Sequence, residues 1–231
     1  MLTRSNKKTS NRFFTLQGAS HVLSLILAIT VLSACQSAYY AGMEKIGVHK
    51  RDIFIDRVED ARDAQQDAKE QFASALDQFQ SVISTKSTSL EKKYKKLQAE
   101  FDNSESAAEE VSERIQAVQH VSNALFEEWE NELALYTNAS LKQTSARKLK
   151  TTKQRYAKLI NAMKRAESRM QPVLNAFRDQ VLFLKHNLNA QAIASLQNEL
   201  SLIESNVSKL IADMEKSIRE SNAFVQQLKH D

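Results

Sequence analysis

Apolar residues recur along most of the chain at alternating spacings of three and four positions, the pattern of amphipathic helices. Interruptions in this pattern divide it into four predicted helices, at about residues 50–84, 89–136, 141–187 and 190–229. The apolar face of the first predicted helix is wider than a two-stranded seam, which is typical of a helix that contacts two neighbours in a bundle. A dimer of long hairpins, the alternative, would use the same pattern. Because the turns between the helices are short, we expect an all-α, antiparallel up-down four-helix bundle with coiled-coil-like packing over residues 50–231.

Two local features refine the predicted helices. Thr88 and Glu91 have the spacing of a capping box, which predicts the start of the second helix. Pro172, the only proline, lies inside the third predicted helix. Apolar residues nevertheless keep a seven-residue spacing from Met163 to Leu184, so we expect a kink at the proline and no break.

Composition supports an all-helical protein and excludes several other classes. The 231 residues include three Gly and one Pro, too few for the frequent turns of a β-sandwich or barrel. The single cysteine excludes a disulfide framework and leaves no pair for a cysteine zinc site or a redox motif. The chain contains no Gly-rich phosphate loop, no G-x-S-x-G elbow and no H-E-x-x-H motif, so we predict neither an enzyme nor a bound cofactor.

The first 34 residues differ in composition from the rest of the chain. They contain basic residues as far as Arg12, no acid, and an apolar run from Val22 to Val31 that is too short to span a membrane. The run ends in Leu32–Ser33–Ala34–Cys35, which resembles a bacterial lipobox, whose cysteine is acylated and becomes the first residue of the mature chain. We therefore predict a lipoprotein signal peptide over residues 1–34, lipid attachment at Cys35, and an anchor and short tether over residues 35–49. The alternative is an ordinary signal peptide with an unrelated cysteine.

Gln36 follows the predicted acylated cysteine. The lipobox resemblance implies that this position influences sorting, and an Asp there is typical of lipoproteins kept at the inner membrane. Gln36 therefore predicts a protein that is lipid-anchored in the outer membrane and faces the periplasm. We expect no contact with nucleic acid in that compartment.

Charged residues are unevenly distributed along the mature chain. Four of the 32 basic residues lie in the predicted leader, which leaves 28 bases to balance 28 acids. Residues 97–136 hold ten acids and one base, whereas residues 142–169 hold ten bases and one acid. In an antiparallel hairpin these blocks lie side by side, which favours that arrangement over a parallel one. A second interpretation of the basic block is contact with anionic lipid.

Acidic residues at helical spacing on the first predicted helix are a candidate cation site. They are Asp52, Asp56, Asp60, Asp63 and Asp67. Because they lie away from the predicted seam and alternate with arginines, we favour a solvated, ion-paired face over a metal site. His120 and His186 lack the Glu three residues earlier that a carboxylate metal bundle requires. For Trp129, the seam position predicts core packing, and an interface anchor is the alternative.

Three stretches of the chain resemble a known protein family. They are His49–Asp52 continuing into Asp56–Ala64, then Ala124–Glu130, and then Phe177–Ala190. Together they are similar to a family of Gram-negative envelope proteins catalogued as domain of unknown function 2959, over nearly all of the mature chain. The resemblance implies a helical lipoprotein, and it implies no activity and no catalytic residues.

These observations lead to a functional hypothesis. We expect a non-enzymatic, periplasm-facing lipoprotein with a structural or protein-interaction role in the bacterial cell envelope. Its expected contacts are the membrane, through acylated Cys35, and either an envelope protein or a second copy of the chain. No small-molecule substrate is expected. The alternative is a membrane-active helical protein that contacts or remodels lipid.

Overall fold

The computed structural model of the chain describes residues 49–84, 89–187 and 190–230, without the side chains of residues 190–195. These residues form four helices, numbered α1 to α4 in chain order, and contain no strand. Helix α1 spans Lys50–Ser84, α2 spans Leu90–Glu132, α3 spans Ala139–His186 and α4 spans Ala190–His230. The all-α prediction is confirmed. The predicted signal peptide, Cys35 and the tether as far as residue 48 lie outside the described residues.

Helices that follow one another in the chain pack together, and α4 also packs against α1. The four helices therefore form a closed ring in which each has two main neighbours. At the start of α1, Lys50 Nζ donates to Glu128 Oε1 near the end of α2 over 2.8 Å. At the start of α2, Lys93 Nζ donates to the carbonyl of Val82 near the end of α1 over 2.6 Å. These two contacts join the start of each helix to the end of the other, so α1 and α2 run antiparallel.

The other neighbouring helices show the same opposition of starts and ends. Lys153 of α3 pairs with Glu130 near the end of α2 over 2.6 Å. Lys229 at the end of α4 pairs with Glu59 of α1 over 2.8 Å. The start of α1, the end of α2, the start of α3 and the end of α4 therefore lie at one end of the bundle. We call it the α2–α3 end, after the turn over residues 133–138 that it carries.

Large apolar side chains from all four helices fill the interior of the bundle. The largest fully buried ones are Phe54, Phe72, Phe79, Ile115, Leu159, Met163, Leu184, Leu196, Ile203, Leu210 and Met214. Burial of one such side chain stabilises a fold by roughly 1.5–3 kcal/mol. The packing of these residues along the full length of the helices is therefore the main source of stability.

Near the α2–α3 end, four aromatic rings meet, one from each helix. The ring centroid of Phe54 lies 6.1 Å from that of Phe126, 5.7 Å from that of Tyr156 and 5.3 Å from that of Phe224. All three pairs are edge-to-face, the geometry that the quadrupoles of aromatic rings favour. This aromatic cluster joins all four helices through Phe54.

The start of α2 is capped by a different residue from the one predicted. The side chain of Ser89, whose backbone is extended, accepts a hydrogen bond from the backbone N–H of Lys92. This is the N-cap arrangement, which satisfies one of the free N–H groups of the first turn. The predicted capping box was therefore wrong in its capping residue, and Thr88 itself lies outside the described residues.

Helix α2 ends at Glu132, before the predicted boundary at residue 136. Asn138 explains the difference, because its side chain accepts hydrogen bonds from the N–H groups of Ser140 and Leu141 and so caps α3. A capping residue needs an extended backbone, and Asn138 has φ −85° and ψ 111°. The chain therefore leaves the helical conformation several residues earlier than apolar periodicity suggests.

Helix α3 continues through Pro172 as far as His186, so the helix does not break there. The proline nitrogen carries no hydrogen, and the carbonyl of Ser168, four residues earlier, therefore receives no helical hydrogen bond. Buried Met170 and Val173 lie on either side of the proline and keep α3 packed on the core. The kink at Pro172 stays a prediction.

Two polar side chains in the core lack hydrogen-bond partners among the described residues. Gln65 is fully buried, and neither its Nε2 nor its Oε1 has a partner. The Oγ atom of Ser217 is also buried and has no hydrogen-bond partner among the described residues. An unsatisfied buried polar group costs about 1–3 kcal/mol. The middle of the bundle is therefore less stable than an all-apolar core would make it.

Candidate functional site

The aspartates of α1 that were a candidate cation site lie on the outer face of the helix. Asp52, Asp56, Asp63 and Asp67 are exposed, and Asp60 is half-buried. Arg57 pairs with Asp60 over 3.0 Å, and Arg62 pairs with Asp63 over 2.8 Å. The hydrogen bond with Asp63 raises the pKa of Arg62, against the opposing effect of burial. The geometry is that of the ion-paired face favoured by the sequence.

The histidines and acids of the bundle do not converge on a metal position. His49, His120, His186 and His230 are all exposed. Over residues 49–84, 89–187 and 190–230, no group of three or more His, Cys, Asp or Glu side chains has an arrangement that would hold a metal ion.

The basic block of α3 divides its contacts between two neighbouring helices. Lys153 pairs with Glu130 of α2 and lies 5.4 Å from the centre of the Phe126 ring. Arg169 instead pairs with Asp213 of α4. Further side chains of the block are exposed, namely Lys142, Arg147, Lys148, Lys150, Lys158, Lys164 and Arg165. Besides its ion pairs with α2 and α4, α3 therefore presents a cationic surface to solvent.

Trp129 lines a cavity of about 230 Å³ at the α2–α3 end. Its indole N–H donates to Ser145 Oγ of α3 over 2.7 Å, and the side chain is half-buried. Core packing, the default prediction for Trp129, is therefore only partly right. The other lining residues are Arg51, Leu125, Glu128, Glu132, Lys148, Thr152 and Leu228. The cavity is smaller than the roughly 300–1,000 Å³ of typical ligand pockets, so a bound group there would have to be small.

A wider groove of about 720 Å³ lies beside Pro172. Its cationic lining comes from Lys164, Arg165 and Arg169 of α3, and Asn206 of α4 contributes an amide. This charge would attract anions. Lys164 and Arg165 are exposed, whereas Arg169 is paired with Asp213, so part of the charge of the groove is balanced within the bundle.

Large apolar side chains are exposed at the turn between α2 and α3. Leu135 is 78% exposed, Tyr136 40% and Leu141 57%. We call these three residues the hairpin tip. The fading of the apolar pattern from Leu135 to Asn138 predicted a turn between Leu135 and Leu141, but not the exposure of these three side chains.

Among the described residues, no helix contains a stretch that is both long and apolar enough to cross a membrane.

The fold and its surfaces define a four-helix bundle with an apolar core and charged outer faces. The profile of the family described as protein of unknown function (DUF2959) matches residues 39–228, and the chain therefore belongs to this family. The family resemblance carried by the three quoted stretches is confirmed. A comparison with curated proteins finds no significant match. The Gram-negative lipoprotein character implied by the resemblance stays a prediction.

Proposed function

We propose that this protein is a non-enzymatic lipoprotein of the Gram-negative cell envelope. Acylated Cys35 would anchor it in the outer membrane, and its helical bundle would face the periplasm with a structural or protein-interaction role. The observation that carries the proposal is the position of the only cysteine, directly after Leu32–Ser33–Ala34 at the end of the apolar run. Each buried acyl methylene contributes about 0.8 kcal/mol, so two or more chains would make the anchoring essentially permanent.

The distribution of charge on the bundle supports an interaction role. Helix α1 holds eight acids and five bases, whereas the exposed surface of α3 is cationic. These helices are not neighbours in the ring, since each packs mainly on α2 and α4. One molecule therefore presents surfaces of opposite charge in different directions, which favours association with a partner of complementary charge or with a second copy.

Lipid attachment is tested by metabolic labelling of the full chain in a Gram-negative host with an alkyne-tagged fatty acid. We expect label on the wild-type chain and none on the Cys35→Ser variant. A matched control carries Cys35→Ser together with Ser37→Cys, which moves the only thiol by two positions. This control should also stay unlabelled, because acylation requires the cysteine at the lipobox position. An unlabelled wild-type chain, or a labelled control, would contradict the anchor.

The interaction role is tested by photo-crosslinking in intact cells. Probes at Asp56 and Asp63 on α1 and at Lys150 on α3 all occupy exposed positions. We expect a reproducible adduct with one envelope protein or with a second copy of the chain. A probe at exposed Leu202 on α4 is the matched control for non-specific adducts. If the charged positions gave no adduct beyond those of Leu202, the interaction role would be rejected.

A further inference from the structure

The hairpin tip is held by an ordered turn. The backbone N–H of Leu135 donates to the carbonyl of Glu132 over 2.9 Å. The side chain of Asn138 accepts from the N–H of Leu141 over 3.1 Å and fixes the first turn of α3. The exposure of the three apolar side chains is therefore a property of a hydrogen-bonded conformation.

The tip extends past the described parts of the neighbouring helices. Helix α1 begins at Lys50, which contacts Glu128, several residues before the turn. Near the end of α4, the carbonyl of Leu228 accepts from Arg51 and so lies at the same level. Leu141 lies four residues before half-buried Ser145, which accepts from Trp129, and therefore on the side of α3 that faces α2. This side of α3 continues beyond the point where the described residues of α1 and α4 cover it.

The start of α1 lies at the same end of the bundle as the tip. In the proposed lipoprotein, Lys50 lies 15 positions after the acylated Cys35. A fully extended chain of that length reaches about 50 Å at ~3.3 Å per residue. The anchor therefore allows the α2–α3 end of the bundle to touch the membrane surface.

The charges around the tip suit an anionic bilayer surface. Lys142, Arg147 and Lys150 follow the turn on the exposed side of α3. Of the four acids at the end of α2, Glu128 pairs with Lys50 and Glu130 with Lys153, whereas Glu127 and Glu132 are exposed. The three bases that follow the turn outnumber these two exposed acids. A basic segment beside leucine and tyrosine side chains is the combination that binds headgroups and the acyl boundary together.

We infer that the hairpin tip is a second membrane contact, in which Leu135, Tyr136 and Leu141 enter the headgroup region of the bilayer that holds the acyl anchor. This inference rests on the proposed lipid anchor. Two points of attachment fix the orientation of the bundle, whereas a tether alone would let it rotate freely. The turn between α1 and α2 then points away from the membrane.

The test is depth-dependent fluorescence quenching on the mature lipoprotein in vesicles of phosphatidylethanolamine and phosphatidylglycerol. Leu135→Cys introduces a single free thiol for an environment-sensitive dye, because acylation occupies the natural cysteine. Leu182→Cys is the matched control, an exposed leucine (47%) near the opposite end of α3. Lipids that carry a nitroxide near the headgroup should lower dye emission about twofold at position 135 and leave position 182 unchanged.

Flotation of the same vesicles separates failure of the tip from failure of the anchor. Floating protein with equal emission changes at the two positions, or with none at position 135, would overturn the membrane contact and leave the anchor intact. Protein that does not float would reject the anchor. In that case the labelled chains, added at high concentration to the same vesicles, must still show quenching at position 135 for the tip to stand. Circular dichroism checks that both variants keep the helical fold.

Discussion

The ring of Phe54 lies edge-to-face against the ring of Phe224, with centroids 5.3 Å apart and planes inclined at 71°. This contact joins the start of α1 to the end of α4, which are the first and the last helix along the chain. Phe126 and Tyr156 extend the contact to α2 and α3. The α2–α3 end is therefore held by side chains from every helix.

Truncation of Phe54 should destabilise the whole bundle. Phe54→Ala removes a fully buried ring and three aromatic contacts, and we expect a loss of about 3–5 kcal/mol in the free energy of unfolding. Urea denaturation followed by circular dichroism measures this loss. Leu202→Ala, at an exposed position on α4, is the control and should change stability by less than about 0.5 kcal/mol. Similar losses in the two variants would contradict the central place of Phe54.

Replacement of Gln65 should stabilise the protein. Gln65→Met keeps the length of the side chain and removes an amide that has no partner among the described residues, so we expect a gain of about 1 kcal/mol. Thermal unfolding measures the change. Gln66→Met, at a half-buried neighbouring position, is the matched control and should give no comparable gain. Should Gln65→Met lower the unfolding temperature, its amide must be satisfied in solution.

The hydrogen bond between Trp129 and Ser145 can be followed by fluorescence. Trp129 is the only tryptophan, so all tryptophan emission reports on the cavity at the α2–α3 end. Ser145→Ala removes the acceptor of the indole N–H, and we expect a shifted emission maximum with a loss of about 0.5–1.5 kcal/mol in stability. Thr144→Ala, one residue earlier and exposed, should leave the emission unchanged. An unchanged spectrum in Ser145→Ala would show that the indole N–H is not engaged there.

Alkaline pH should weaken the bundle through Tyr156. Burial raises the pKa of its phenol, and the hydrogen bond with Ser122 opposes this effect only in part. A raised pKa means that the folded state favours the protonated phenol. The stabilisation is therefore complete below the ordinary tyrosine pKa of about 10 and is lost as the pH rises above it.

The comparison of Tyr156→Phe with the wild type isolates this effect. Above about pH 10, the unfolding free energy of the variant should fall less steeply, because one titrating group has been removed. Tyr94→Phe is the control, since the Tyr94 hydroxyl donates to Gln98 within the same helix. Equal slopes for wild type and Tyr156→Phe would contradict the role of burial at this phenol.

Apolar periodicity was sufficient to predict the helices and their assembly. Met163 and Leu184 were assigned to the apolar face of the third helix from spacing alone, and both are buried. The exact starts of helices were harder to predict. Thr88 and Ser89 are both residue types that favour the N-cap position, and the sequence does not show which of them has the extended backbone of the capping residue. The end of α2 was misplaced because Leu135 and Tyr136 are apolar and were counted in the helix, whereas their side chains are exposed in the turn that follows Glu132.

The surfaces of the bundle were less predictable than its core. Spacing on one helix shows which face is buried, but it does not show which residues of different helices lie at the same level. The contact of Phe54 with Tyr156 and the cavity beside Trp129 both depend on how far each helix is shifted along the bundle axis relative to its neighbours. The ion-paired face of α1 was predictable because its pairs, such as Arg57 with Asp60, lie within one helix.

Pro172 gives α3 a boundary that hydrogen exchange would detect. The carbonyl of Ser168 lacks its helical donor, so one backbone hydrogen bond is absent from the helix at this point. Local unfolding that starts at either end of α3 can therefore stop at Pro172 without spreading to the other segment. The segments before and after Pro172 should therefore exchange their amide protons as two separate units, although they form one continuous helix.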